Sequence, residues 1–213
     1  MNKVSKLQKL YASFNGKEVE MFSWLDGLTY SQSFMVCMGA GPWKIGRRQK
    51  IQEGALRWLG KRDLYDTDLL TKRFDYSNTV DCFPLEWQKK TTQYLVGTLH
   101  QQNISMEKLC ELLTDKYLCD DDYARKEFYK SCGSNGTKVL SLFCRDALKI
   151  DSFPIDRHVR RILKENDLPT NEDDIINLCR VARLDPRKVA TAFVRTASVD
   201  NPHWNLIVPT LSL

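Results

Sequence analysis

Lys138 and Asp156 are the residues whose types and placement could do chemistry. Lys138 closes the stretch Cys132-Gly-Ser-Asn-Gly-Thr-Lys138. Asp156 stands in Ser152-Phe-Pro-Ile-Asp156-Arg-His-Val-Arg-Arg-Ile-Leu163. Gly133, Ser134, Asn135 and Gly136 are turn formers, and helix-like apolar spacing follows them at once. Lys138 therefore falls in the first turn of a helix, where the macrodipole is positive and a lysine is electrostatically awkward. Asp156 comes eighteen residues later, after a Pro-Ile pair, and opens a second helical pattern. The two helix starts can face each other, one carrying an amine and the other a carboxylate. An amine freed of its proton is a nucleophile, and a carboxylate stabilises positive charge that develops beside it. Taken alone, Lys138 is better explained as a surface lysine, and Asp156 as an ordinary N-cap, a role that does not exclude a chemical one.

The elements that must position this pair read as helices. Residues 3–14 carry Val4, Leu7, Leu10, Tyr11 and Phe14 on one face, and Asn15-Gly16 is a stop. A second helical pattern covers 17–25. Residues 31–43 have no assignable period, although the run Phe34-Met-Val-Cys-Met38 reads as buried. Helical patterns follow at 47–59 and 66–74. Pro84 sits where a first-turn proline belongs, ahead of Trp87, Tyr94, Leu95 and Leu99 in a helix that continues to Gln102. Ser105 is the expected N-cap of 106–117. The Asp120-Asp121-Asp122 triplet is explained by capping of a helix over 123–130 rather than by a metal. Further helices are expected over 172–181 and, after the cap-and-proline pair Asp185-Pro186, over 187–197. There is no strand-like alternation and no internal repeat. The fold class expected is all-α, with about ten helices.

Composition bounds the partners. The chain has 213 residues, a formal net charge of +5, 42% hydrophobic and 28% charged residues, which suits one domain or two small lobes. No apolar run approaches the roughly 20 residues that span a bilayer. The N-terminal apolar residues are spaced rather than continuous, so they do not make a signal peptide, and an intracellular location is expected. The positive balance is compatible with a polyanionic partner without requiring one. Lys44, Arg47, Arg48 and Lys50 form a basic cluster that a solvated helix face explains. Seven cysteines occur without C-x-x-C spacing and read as reduced and structural. The three histidines are far apart, so no metal constellation is visible.

At Gly136-Thr-Lys138 and Pro154-Ile-Asp156-Arg-His158 the sequence resembles the helix-hairpin-helix DNA glycosylase superfamily, which includes endonuclease III and the 8-oxoguanine glycosylases. The family pattern has a glycine hairpin, a lysine two residues after its last glycine, and an aspartate about eighteen residues on, which Gly136, Lys138 and Asp156 match. Ile155-Asp-Arg-His-Val159 is most similar to the small archaeal-type 8-oxoguanine glycosylases. Leu95-Val-Gly-Thr-Leu-His-Gln101-Gln102-Asn103 resembles the family segment whose polar side chains fill the gap left by an extruded base. The resemblance covers about residues 83–165. It departs from the family at Ser134, where a glycine is usual, and at Asn135, where an apolar residue is usual. The four-cysteine iron–sulfur signature and the terminal lysine of some small members are absent from the sequence.

The resemblance implies a two-lobed helical fold with a central DNA cleft. Residues 83–154 would form the barrel lobe with the hairpin, and residues 1–82 plus 155–213 the second lobe. It implies a base-excision repair glycosylase with β-lyase activity on an oxidised base, 8-oxoguanine first, in duplex DNA. Lys138 would be the Schiff-base nucleophile and Asp156 the carboxylate that stabilises the cationic sugar. Gln101 and Gln102 would enter the duplex. Asn135, Gly136 and Thr137 would donate backbone N–H groups to a phosphate. Arg157, Arg160 and Arg161 would track the DNA backbone. Phe34, Trp43, His203 and Trp204 are the candidates for stacking on the base. No cofactor is implied beyond a monovalent cation at the hairpin, and the protein would act as a monomer. The alternatives are a helix-hairpin-helix protein that binds DNA without cutting it, and a superfamily member acting on thymine glycol, uracil or a hypermodified base.

Overall fold

The computed structural model describes residues 2–14, 25–40, 83, 85–134 and 137–199. Among these residues are nine α-helices and no strand: α1 (Lys3–Ser13), α2 (Tyr30–Ala40), α3 (Glu86–Gln102), α4 (Met106–Thr114), α5 (Asp121–Ser131), α6 (Thr137–Asp146), α7 (Arg157–Glu165), α8 (Glu172–Val181) and α9 (Pro186–Val199). The all-α expectation holds. No described helix is long and apolar enough to cross a membrane. The patterns at 47–59 and 66–74, most of 17–25, and the Asn15-Gly16 stop lie outside the described residues.

Most helix starts are fixed by a neighbouring polar side chain. Asn2, Ser105, Asp120 and Asn171 each accept a hydrogen bond from a backbone N–H in the first turn, at 2.8–3.0 Å. Each such cap contributes about 1 kcal/mol. Asp185 does the same for α9, whose first residue is Pro186, as the sequence leads one to expect. Three boundaries differ from expectation. The helix after the acidic triplet begins at Asp121, because Asp120 alone caps it. The helix after Ser105 stops at Thr114. The helix near Pro84 opens only at Glu86, with Leu85 as N-cap and Gln88 Oε1 accepting from the Leu85 N–H.

The region over 31–43 without assignable period is α2. Phe34 to Met38 are all at most 1% exposed, and Ser31 and Ser33 are buried too. A helix buried on every side has no polar face, so it shows no 3.6-residue stripe. Its ends are satisfied from outside: Glu107 of α4 accepts from the Tyr30 and Ser31 N–H groups, and Gln88 of α3 donates to the Met38 carbonyl.

Two hydrophobic cores result. The first gathers Leu25, Phe34–Met38 and apolar residues of α3–α6, ending at Ile150. The second gathers Leu7, Phe153 and apolar residues of α7–α9. The chain passes from one to the other between Ile150 and Phe153. Residues 1–82, expected together in the second lobe, are thus divided where they are described: α1 packs on α8 and α9, whereas α2 packs on α4 and α6. The reason is composition, since a helix as apolar as α2 needs a core around it and α1 has only one apolar face.

Candidate active site

The hairpin region begins where α5 ends. Gly133 takes φ +70° and donates to the Lys130 carbonyl, and Ser134 donates to the Tyr129 carbonyl. This is a Schellman ending, which favours glycine at that left-handed position. Ser134 also has a positive φ, 55°. A positive φ at a serine is uncommon, and here the second Schellman hydrogen bond holds it.

α3 supports this turn. A side chain at Gly133 would meet the Tyr94 ring at 2.6 Å. Thr98 donates to the Ser131 carbonyl at 3.1 Å. The helix that ends in Gln101 and Gln102 is therefore docked against the turn that leads to Lys138. Both glutamines are exposed, and Asn103 ends the helix with φ 52°.

Lys138 is the second residue of α6, and Asp156 is the N-cap of α7. The two carboxylate oxygens of Asp156 are used differently. Oδ1 accepts from the His158 and Val159 N–H groups, each at 2.8 Å. Oδ2 lies 3.8 Å from Lys138 Nζ. That is ion-pair rather than hydrogen-bond distance. The Lys138 side chain is 49% exposed and that of Asp156 26%. Such a half-solvated pair adds at most about 1 kcal/mol to stability. Two helix N-termini converge here, and both favour negative charge. Asp156 is doubly anchored there, while among the described residues the Lys138 amine is held by charge alone.

Capping also fixes α7. Val159, Ile162 and Leu163 are buried, each worth about 1.5–3 kcal/mol on transfer from water. Arg157, Arg160 and Arg161 are exposed on the opposite side, as the alternation in sequence implies. Arg157 donates to His158 at 3.0 Å, and Arg161 pairs with Glu165 at 3.8 Å. Cys132, at the hairpin, is fully buried, and burial pushes its thiol well up, so it is not a competing nucleophile. Among the described residues, no group of three His, Cys, Asp or Glu is arranged to hold a metal ion.

The other candidates fall in two classes. Asn135, Gly136, Trp43, His203 and Trp204 lie outside the described residues, as does the side chain of Thr137. Phe34 is a core ring, 0% exposed, with its edge against Phe128 and Phe143. The structure also brings to the site residues that sequence reading did not single out. Ser141 lies one turn beyond Lys138, Ser152 lies four residues before Asp156, and Glu172 opens α8 between them. Glu172 reads in sequence as one more acid in a helix first turn, and nothing local marks it.

The helical arrangement is that of the 8-oxoguanine DNA glycosylases. The 8-oxoguanine DNA glycosylase of Methanocaldococcus jannaschii shares the fold with a TM-score of 0.54 at 15% identity, over 92% of this chain and 94% of that one. The enzyme of the same description from Thermotoga maritima does so with a TM-score of 0.50 at 13% identity, over 91% and 94%. No family model matches the sequence, and no curated protein does.

Proposed function

We propose that the protein is a DNA glycosylase with β-lyase activity that removes an oxidised base, 8-oxoguanine first, from duplex DNA. The observation that carries this reading is the Lys138 amine 3.8 Å from the outer oxygen of a helix-capping aspartate. Both proteins of like fold are 8-oxoguanine DNA glycosylases, which supports the substrate class.

A base within a duplex is out of reach, so it is extruded at a cost of a few kcal/mol, and Gln101 and Gln102 fill the gap. As the bond from C1′ to the base nitrogen breaks, the sugar becomes cationic. The Asp156 carboxylate stabilises that charge, strongly where water is excluded. Once the Lys138 ammonium has given a proton to solvent, its amine bonds to C1′, the base departs with the bonding electrons and takes up a proton released by the amine nitrogen, and ring opening gives an imine. Loss of a C2′ proton then expels the 3′ phosphate. These steps use an amine and a carboxylate and require no redox cofactor. Arg157, Arg160 and Arg161, with the backbone N–H groups at Asn135, Gly136 and Thr137, hold the phosphates.

Borohydride reduces an imine to a stable amine. Wild-type protein mixed with lesion or abasic duplex and borohydride should yield a covalent adduct on a denaturing gel. Lys138→Gln should lose the adduct and keep duplex binding. Trapping that survives Lys138→Gln assigns the nucleophile elsewhere. Binding without any nicking of an abasic strand leaves a DNA-binding protein that does not cut.

A further inference from the structure

The carboxylate of Glu172 sits where the two cores meet and is surrounded by donors. Its Oε1 accepts from Ser141 Oγ at 2.6 Å, Ser152 Oγ at 2.7 Å and the Phe153 N–H at 2.7 Å. Its Oε2 accepts from the Tyr129 hydroxyl at 2.8 Å. Ser141 and Ser152 touch at 2.8 Å and are 1% and 0% exposed. Three of these donors converge on Oε1 and one on Oε2, which fills the roughly four acceptor sites of a carboxylate, and the single Ser152 proton is shared between Oε1 and the Ser141 carbonyl at 3.0 Å. Burial pushes the Tyr129 hydroxyl well above the usual phenol range, so it keeps its proton and donates.

The donors are not scattered. Ser141 is on α6, one turn beyond Lys138. Ser152 and Phe153 belong to the segment that delivers Asp156. Tyr129 is on α5, just before the hairpin. We propose that Glu172 is a positioning residue: one side chain from the second core ties the helix of the amine to the segment of the carboxylate and so fixes the separation of Lys138 from Asp156. The role rests on the reading of those two residues as the catalytic pair. Lys138 and Asp156 hold one another only through a half-solvated contact, so their geometry must come from the elements that bear them. Ser141 and Glu172 are 31 residues apart, and Ser152 and Glu172 are 20 apart. The tether thus joins segments that are distant in sequence.

A carbodiimide joins a touching amine and carboxylate as an amide, with the water taken up by the reagent, so it reads the Lys138–Asp156 contact without DNA. Peptide mass spectrometry gives the yield. Lys6–Asp167 at 2.9 Å and Lys108–Glu111 at 3.4 Å are internal controls, one on each core. In Glu172→Ala the Lys138–Asp156 yield should fall about threefold or more, and borohydride trapping about tenfold or more, since a displacement of about 1 Å is enough to lose rate on that scale. The controls and duplex affinity should hold. Glu172→Gln keeps one acceptor oxygen, and its amide can donate to Tyr129, so it should recover part of both signals. A merely structural role would lower the controls too and show no such rescue. If Glu172→Ala does not fold, Ser141→Ala and Ser152→Ala each cut one arm and should lower the yield separately. An unchanged Lys138–Asp156 yield in the folded variants overturns the proposal. A wild type that never traps DNA removes the lyase reading, while the cross-link still decides the tether.

Discussion

Asp156 uses its two oxygens differently, and substitution can separate the cap from the proposed catalytic role. Asparagine can keep its carbonyl oxygen toward the His158 and Val159 N–H groups, where Oδ1 now sits. It then turns an amide NH2 toward the place of the cationic sugar. Asp156→Asn should therefore slow base release by about a hundredfold or more, the scale of losing one electrostatic stabiliser, while its thermal midpoint stays near wild type. Asp156→Ala loses the cap as well and should unfold about 0.5–2 kcal/mol more easily. Equal melting losses in the two variants, or equal rates for Asn and wild type, would sink this division. Gly133 gives a second test at this scale. Its φ of +70°, and the Tyr94 ring 2.6 Å from where a methyl would stand, oppose any side chain. Gly133→Ala should cost about 1–2 kcal/mol in urea denaturation from the left-handed backbone alone. The ring contact should add to that, and the added part should disappear in a Tyr94→Ala background.

The proposed role of the glutamines can be set on α3. Tyr94 and Thr98 face the turn at Ser131 and Gly133, and Gln101 and Gln102 follow Thr98 at three and four residues, so both border that side of α3. The two are about 100° apart around the helix. Gln101→Ala and Gln102→Ala should each impair excision from duplex relative to single strands by about tenfold, ~1.4 kcal/mol. Equal losses on both substrates in single-turnover assays would count against the gap-filling role. Elements also show what a sequence can reveal. Ser105, Asp156 and Asp185 were legible as caps, and the Asp120-Asp121-Asp122 triplet as a capping run, because a cap bonds within three residues. The spacing of Lys138 and Asp156 was legible because each opens its helix. α2 was not, because uniform burial erases the period on which a reading depends. Its own caps, Glu107 and Gln88, are 76 and 50 residues from the groups they satisfy. Glu172 was missed for the same reason: its meaning lies wholly in contacts between distant segments.

At the scale of the whole molecule, the two cores are also joined by charge. Arg180 of α8 donates to Asp122 of α5 and to Asp151, and the buried Arg125 of α5 donates to Asp173 of α8 and to the Asp151 carbonyl. Desolvation alone would raise the Asp122 carboxyl, but hydrogen bonds from Arg180 and the charges of Arg125 and Arg180 outweigh it and hold it below its ordinary value. A carboxyl lowered in the folded state stabilises the fold above its unfolded pKa of about 3.9, and that stability is lost as pH falls through the lower folded value. The melting temperature should accordingly drop below about pH 4. Asp122→Asn should be less stable at pH 7 and show a shallower acid decline, and parallel curves for the two proteins would exclude Asp122 from the acid response. The path of the chain has a consequence of another kind. α1 is synthesised before any of its partners: Lys6 bonds Asp167, Gln8 bonds Ala182, and Leu7 is covered by the second core. The first core, ending at Ile150, can close while those partners are still unmade. At about 5–20 residues per second, α1 waits roughly 10–40 s on the ribosome. For that interval its apolar face is open to chaperones and proteases, a handle on the nascent chain that the finished protein withdraws.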